Sequence, residues 1–102
     1  MRIRNGNIYL IRGDTEALKF TPYVNGKTLD SYTLTLSVKK TITDTDYVLQ
    51  KTAVEDTFYF ESADTNDLDA GTYVYDIELR SDGIVKTYGP HSLHLIADVT
   101  RG

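Results

Sequence analysis

The chain has 102 residues, a length that fits one domain. Thr, Val, Ile, Tyr and Phe together supply 39 of them, against five Ala and one Met, so residues that suit a pleated sheet dominate. This composition excludes a helical bundle, a coiled coil, a disordered tail and a membrane span. The absence of Cys excludes a disulfide framework and a thiolate metal site.

The formal net charge is −4 and the isoelectric point is near 5.0, which argues against a nucleic-acid-binding protein. Residues 1–51 contain eight Lys or Arg and five Asp or Glu, a balance of +3, whereas residues 52–102 contain three and ten, a balance of −7. This asymmetry either reflects a chance distribution of charges over the folded surface, or it indicates a polar molecule whose basic edge meets the acidic edge of a neighbour.

The start of the chain, residues 1–7, is basic but has no long apolar run behind it, so no secretory signal is expected. Further along, apolar and polar residues alternate with the period of two that is typical of strands with one buried face. The pattern predicts strands near 2–4, 8–12, 16–24, 32–40, 47–54, 57–61, 72–80, 84–88 and 92–98.

Turn signals separate these segments. Asn25-Gly26 fits a tight turn, and Ser81-Asp82-Gly83 predicts a short hairpin. Gly89-Pro90 is expected to interrupt the last long strand, because proline cannot donate to a ladder. The sequence of residues 63–68 predicts one helical turn, with Asp64 or Thr65 as its N-cap.

Frequent turns between short antiparallel strands predict a β-sandwich, with a jelly roll or small barrel as the alternative. The residues that follow the helical turn narrow this choice. Leu68, Asp69, Gly71 and Tyr73 match the tyrosine corner that leads into strand F of immunoglobulin-like domains, and Tyr75 stands where those domains carry a cysteine. The predicted fold is therefore an all-β, immunoglobulin-like antiparallel β-sandwich that forms a single domain over residues 1–102.

A narrower resemblance rests on further segments in the same order: Arg12-Gly13-Asp14-Thr15, Asn25-Gly26, residues 34–40, Asp64-Thr65, Leu68, residues 71–77 and Asp98-Val99-Thr100. This pattern resembles the immunoglobulin-like domains of tailed-bacteriophage virion proteins, and it is similar to the N-terminal domain of phage baseplate upper proteins. The resemblance implies a non-enzymatic accessory, connector or decoration protein of a phage or prophage particle. It also implies a protein that is made in the bacterial cytoplasm, without a signal peptide, and ends in the virion.

No catalytic motif is present, so neither an enzyme nor a cofactor is expected. Arg12-Gly13-Asp14 is the adhesion tripeptide but is equally explained as a strand-ending turn. His91 and His94 lie three apart on a strand and so face opposite sides, which prevents them from chelating one metal. The acidic groups Asp44 and Asp46, and Asp64, Asp67 and Asp69, lack the register of a calcium loop and suit turns and caps.

Two segments are apolar on both faces, residues 8–11 and residues 93–96, which indicates a second surface that covers them. A neighbouring subunit or the N-terminal segment Met1 to Asn5 would supply that cover. Tyrosines on the faces opposite the apolar ones suit cross-strand packing, protein interfaces or sugar stacking. The candidate interface comprises Ile8, Tyr9, Leu10, Ile11, Tyr23, Tyr59, His94 and Ile96.

The expected partners are other virion proteins or further copies of the chain. Nucleic acid, a membrane and a small-molecule ligand are not expected. Two other functions stay open, a carbohydrate- or host-surface-binding module that acts through its tyrosines, and a small inhibitory or regulatory domain.

Overall fold

The chain folds almost entirely into β-strands, in a computed structural model that describes residues 1–22 and 31–99. These ranges contain strands β1 (Arg2–Arg4), β2 (Asn7–Ile11), β3 (Glu16–Lys19), β4 (Thr33–Lys39), β5 (Leu49–Thr52), β6 (Thr57–Phe60), β7 (Gly71–Ser81) and β8 (Ile84–Ile96), and the short helix α1 (Ser62–Thr65). Each predicted strand overlaps one of these, but β3 ends at Lys19, before residues 20–22 of the third predicted strand, and β8 spans the last two predicted strands. Residues 23 and 24 of the third predicted strand, and the Asn25-Gly26 turn, lie outside the described residues.

The strands form two sheets. The larger sheet has the order β1-β2-β8-β7-β4-β5, and the smaller one pairs β3 with β6. All described pairs are antiparallel except β2 with β8, which run parallel. The fold is therefore a mostly antiparallel, sheet-rich domain, as the composition predicts.

One hydrophobic core joins the inner faces of both sheets. Its buried members are Ile8, Leu10, Leu18, Leu34, Leu36, Val38, Phe58, Phe60, Tyr73, Tyr75, Ile77, Leu79, Leu93 and Leu95. The period-2 expectation for β7 is confirmed in register, because Ile77 lies opposite Leu36 and Leu79 lies opposite Leu34. Asp76 and Glu78 alternate with these residues and point to the outer face of the larger sheet.

The predicted helical turn is present as α1, but its cap is not the one expected. Glu61 is the N-cap, and the Asp64 carboxylate accepts a hydrogen bond of 2.7 Å from the Glu61 backbone N–H. Asp64 thus closes the first turn from inside the helix, three residues after the cap. Thr65 is buried, and its hydroxyl accepts a hydrogen bond of 2.7 Å from the Gly13 N–H. The prediction that Asp64 or Thr65 caps the helix is therefore wrong.

The predicted tyrosine corner has the expected contact. The Tyr73 hydroxyl donates a hydrogen bond of 2.6 Å to the carbonyl of Asp69. Burial, reinforced by the charge of Asp69, raises the pKa of Tyr73 above its ordinary value. The Tyr75 ring is also buried, and its hydroxyl donates to the carbonyl of Gly6. A tyrosine therefore fills the core at the position where the resemblance places a cysteine.

The Gly89-Pro90 step does not end the last strand. β8 runs without a break from Ile84 to Ile96, and its register against β7 shifts between the pairs Tyr75–His91 and Ile77–Tyr88. Asp76 alone therefore opposes two residues of β8, which is a β-bulge. The bulge accommodates the missing N–H of Pro90, so the two strands predicted at 84–88 and 92–98 are one.

Tight hairpins connect several strands. Asn5-Gly6 joins β1 to β2, Glu55-Asp56 separates the paired residues Val54 and Thr57, and Asp82-Gly83 joins β7 to β8. Both residues of the first two loops have positive φ, 53° and 83° in Asn5-Gly6 and 51° and 64° in Glu55-Asp56. This conformation suits the twist of the flanking strands, but among residue types Gly adopts it readily and, after Gly, Asn and Asp do so most often.

The two edges of the larger sheet are short. β1 has three residues, all exposed, two of them Arg. β5 has four, and its inward-facing Lys51 forms an ion pair of 2.8 Å with Asp64 of α1. Short edges with charged, inward-pointing side chains resist uncontrolled strand addition. Association through the faces of the larger sheet is therefore the more open route for a partner.

Candidate interaction surface

The parallel pair β2–β8 places four of the predicted interface residues side by side. Tyr9 lies opposite His94, and Ile11 lies opposite Ile96, all on the outer face of the larger sheet. Ile11 is 41% exposed and Ile96 is 46% exposed. We refer to Tyr9, Ile11, His94 and Ile96 as the apolar ladder.

The aromatic half of the apolar ladder is well ordered by its neighbours. The rings of Tyr9 and His94 stack with 4.6 Å between their centroids and 11° between their planes. The Arg2 guanidinium lies 5.0 Å from the Tyr9 centroid, a cation–π contact. The His94 Nδ1 atom is 3.1 Å from the Thr72 hydroxyl on β7. These contacts fix both rings on the outer face of the sheet, beside the exposed isoleucines.

The other predicted interface residues do not join this surface. Ile8 and Leu10 have no exposed area and face the core, so their assignment to an interface is wrong. They belong to the same strand as Tyr9 and Ile11, but alternate residues point to opposite faces. Tyr59 is 54% exposed on β6, opposite Ala17, and so belongs to the other sheet. Tyr23 lies outside the described residues.

The N-terminal segment covers the ladder only in part. β1 pairs with the edge of β2, in the plane of the sheet, through the pairs Arg2–Tyr9, Ile3–Ile8 and Arg4–Asn7. Its Arg2 side chain reaches Tyr9, but the pairing ends before Ile11. The isoleucine pair of the ladder therefore keeps the exposure given above.

The Arg12-Gly13-Asp14 tripeptide is part of a half-buried turn. Gly13 is buried and donates its N–H to Thr65, while the Arg12 guanidinium lies 3.6 Å from the Asp98 carboxylate. The tripeptide is thus held by the fold and does not protrude, which agrees with its interpretation as a strand-ending turn.

The two histidines lie on opposite faces, as their spacing predicts. His94 is in the ladder, whereas His91 lies beside the Tyr75 ring, with 5.9 Å between centroids. Gly6 contacts the His91 ring closely, since a Cβ added there would lie 2.6 Å from it. In residues 1–22 and 31–99, no three His, Asp or Glu side chains come close enough together to hold a metal ion.

A second feature of the same sheet face is a groove of about 470 Å³ over β7, β4 and β5. Its floor contains two cross-strand rows, Asp76–Ser37–Gln50 and Glu78–Thr35–Thr52. Lys39 and Arg80 flank these rows, Ile42 and Tyr47 of the β4–β5 loop form one wall, and Pro90 of the β8 bulge lines the groove as well. We refer to this feature as the polar groove.

The sequence did not single out the polar groove. Its residues lie far apart along the chain, and each strand alone displays only ordinary polar positions on an outer face. One signal was available, because Ile42, Tyr47 and Val48 are apolar residues in a loop that otherwise reads as polar. All three are exposed in the structure, and Tyr47 is 52% exposed.

The electrostatics of the polar groove centre on Asp76. Burial and the nearby charge of Glu78 raise the pKa of Asp76, and Lys39 partly offsets them. The Glu78 carboxylate accepts a hydrogen bond of 2.6 Å from Arg80 Nε. The Gln50 amide donates one of 3.0 Å to the Ser37 hydroxyl.

No helix among the described residues is long and apolar enough to cross a membrane. No protein-family model matches the chain, and no curated protein matches it in sequence.

Proposed function

We propose that the chain is an immunoglobulin-like docking domain of a tailed-phage or prophage particle. It binds other virion proteins or further copies of itself and turns over no substrate. The proposal joins the sequence resemblance to a surface of the folded domain, the apolar ladder.

The strand order supports the immunoglobulin-like topology. In variable-type immunoglobulin domains one sheet contains strands G, F, C and C′, and the other contains B and E. The order β8-β7-β4-β5 corresponds to the first set, and the pair β3–β6 corresponds to the second. The Tyr73–Asp69 hydrogen bond lies at the start of β7, where such domains have their tyrosine corner.

The observation that carries the docking function is the exposed pair Ile11 and Ile96. These two β-branched side chains are directly opposite each other, and each is more than two-fifths exposed. Next to them lie a tyrosine and an arginine, the residue types that most often anchor protein interfaces. An apolar centre with aromatic and Arg neighbours is the composition expected of a buried contact.

A stable contact centred on the ladder should bury more than about 1,000 Å² in total. The ladder alone is too small, so the partner must also cover neighbouring positions of the sheet face. Val74 of β7, which lies opposite Ser92 of β8, is the next apolar residue in that direction.

The test compares two substitutions on one strand. Ile96→Asp places a carboxylate in the ladder, while Val85→Asp places one at the other end of β8, where Val85 is 59% exposed. Both variants should remain folded by circular dichroism, because neither side chain is in the core. Tagged forms are produced in the bacterium that carries the gene, particles are purified by density gradient, and their content is measured by mass spectrometry.

We expect the wild type and Val85→Asp in the particles, and we expect Ile96→Asp to be lost, because an unpaired charge in a desolvated contact is costly. The docking surface is refuted if Ile96→Asp is incorporated as well as the wild type. The virion assignment is refuted if the wild type is missing from purified particles. Light scattering of the purified protein separates self-association from docking onto another protein.

A further inference from the structure

The polar groove is a concave feature beside the apolar ladder, and it shares only Val74, on its border, with the proposed docking contact. The geometry points to a binding site for a neutral saccharide, in which side chains of β4, β5 and β7 hydrogen-bond the sugar hydroxyls and Tyr47 packs against a sugar ring. The volume of about 470 Å³ lies within the range of small-ligand sites.

The floor of the polar groove suits a ligand rich in hydroxyl groups. Carboxylates only accept, guanidinium groups only donate, and Ser, Thr and sugar hydroxyls do both. The two cross-strand rows intermix these types at neighbouring strand positions, which are about 4.8 Å apart across the sheet and about 7 Å apart along it. Hydroxyls on successive carbons of a sugar can therefore find both donors and acceptors.

Asp76 supplies an acceptor for such a ligand. Within the described ranges no protein group forms a hydrogen bond or ion pair with its side chain, although the residue is partly buried. Its Cβ is held against the β8 bulge, where a Cβ added at Gly89 would lie 3.3 Å away. A carboxylate that is partly removed from water and lacks a partner gains most from a hydroxyl donor.

The charge of the lining favours a neutral ligand over an ionic one. Among its residues Lys39 and Arg80 are cationic, while Asp76 and Glu78 are anionic, so the formal charge is zero. A phosphate would meet the two carboxylates, and a polycation would meet the lysine and the arginine. A polar ligand without net charge avoids both penalties.

The backbones of β4 and β7, which supply most of the floor, are not available to a peptide strand. β4 is paired on both sides, with β7 and with β5, and β7 is paired with β4 and with β8. Recognition on this face must therefore use side chains, which favours a ring that carries many hydroxyls over an extended peptide that seeks main-chain partners.

The loop wall supplies the apolar contact. Tyr47 is 52% exposed, and Lys39 lies 5.0 Å from its ring centroid, which helps to fix the ring beside the groove. An aromatic face beside a polar floor matches a sugar, whose ring has an apolar face and a hydroxyl rim. The Tyr47 ring has no place in the core and contributes nothing there.

The test is a titration of the ¹⁵N-labelled full chain with the neutral trisaccharides maltotriose, cellotriose and N,N′,N″-triacetylchitotriose, followed by NMR. We expect at least one trisaccharide to give saturable shifts at the amides of Ser37, Gln50 and Asp76. The Kd should be on the order of 1 mM, because an open groove encloses only part of its ligand. Trilysine and inorganic phosphate serve as charged probes and should shift these amides less.

Matched variants locate the site. Tyr47→Ala and Asp76→Ala should each weaken binding at least about tenfold, which corresponds to the loss of one good contact. Tyr59→Ala removes an equally exposed tyrosine from the other sheet and should bind like the wild type. Unchanged spectra outside the substituted regions show that the variants are folded.

Three results would overturn the proposal. The first is the absence of a saturable shift with any trisaccharide up to about 20 mM, which is some twenty times the expected Kd. The second is a stronger shift with a charged probe, and the third is an equal loss of trisaccharide affinity in Tyr59→Ala and Tyr47→Ala. Each leaves the docking function intact, since that function rests on Ile11 and Ile96 and on particle content.

Discussion

The hydroxyl of Tyr73 bonds to the carbonyl of Asp69, four residues earlier, and so closes the turn that precedes β7. The ring of Tyr73 lies in the core, while the carbonyl belongs to an exposed residue at the edge of the turn. One side chain thus ties the loop after α1 to the central strand of the larger sheet.

Removal of this hydroxyl should destabilise the domain. We expect Tyr73→Phe to lower the free energy of unfolding by about 1–2 kcal/mol, because the Asp69 carbonyl loses its partner while the ring stays packed. Urea denaturation followed by circular dichroism measures the change. Tyr59→Phe is the control, since its ring is exposed, and it should change stability by less than about 0.5 kcal/mol. Equal effects of the two substitutions would contradict a stabilising corner.

The core face of β7 gives a second prediction. Ile77 is buried opposite Leu36, whereas its neighbour Glu78 lies on the outer face opposite Thr35. We expect Ile77→Ala to cost about 2–5 kcal/mol, because the cavity cannot close completely. Glu78→Ala should cost less than about 1 kcal/mol, since it removes only an exposed pair with Arg80. The reverse order in urea denaturation would place the wrong face of β7 in the core.

The sequence predicted the parts of the fold that depend on local pattern. The alternation through Tyr75, Ile77 and Leu79 identifies one buried face wherever the strand lies in the sheet, and the corner residues around Tyr73 are close together in the chain. The inward-facing residues of the segment 8–11 cannot be identified in this way, because an apolar segment without alternation does not show which residues face inward. Only the pairing with β8 shows that Ile8 is core and Ile11 is surface.

The polar groove could not be predicted for a different reason. Ser37, Gln50 and Asp76 become neighbours through the registers of three strands, and a shift of one residue in either pairing would separate them. The hydrophobic pattern of two paired strands allows only registers that differ by an even number of residues, because these keep the same faces buried. It does not determine which of those registers the strands adopt. The sequence likewise predicts an interruption at Gly89-Pro90, where the structure has a bulge, because the residues next to a proline do not show what its partner strand allows.

The hairpin at Glu55-Asp56 is a place where substitution should stabilise the domain. Glu55 has a φ of 51°, a conformation that costs a residue with a Cβ roughly 1 kcal/mol and that Asn adopts more readily. Asp56 should be kept, because its carboxylate accepts a hydrogen bond from the Tyr32 hydroxyl and its carbonyl accepts one of 2.8 Å from the Phe20 N–H. We therefore expect Glu55→Asn to raise the free energy of unfolding by about 0.5–1 kcal/mol.

The reciprocal change provides the control. Asn5 occupies the same first position of the β1–β2 loop with a φ of 53°, so Asn5→Glu should lower the melting temperature where Glu55→Asn raises it. Differential scanning calorimetry of both variants measures the two shifts. Shifts of the same sign would mean that the backbone conformation of these loops does not determine their stability.

The last prediction concerns pH and Asp76. Burial and the charge of Glu78 raise the pKa of this carboxyl in the folded state above its ordinary value of 3.8. Between the ordinary pKa, which applies to the unfolded chain, and the raised pKa of the folded state, the folded chain binds more protons than the unfolded chain. The contribution of Asp76 to stability therefore falls as the pH rises through that interval. Above that interval the ionised carboxylate opposes folding, and below pH 3.8 this penalty is absent.

We therefore expect Asp76→Asn to be more stable than the wild type at pH 7, with a difference that shrinks as the pH is lowered towards 3. Urea denaturation of both proteins across this range measures the difference directly, and the ion pairs that both share, such as Lys51–Asp64, cancel from it. A variant that is less stable at pH 7, or a difference that grows on acidification, would mean that Asp76 already has a favourable partner in the polar groove, and the argument for a hydroxyl-bearing ligand there would lose its main acceptor.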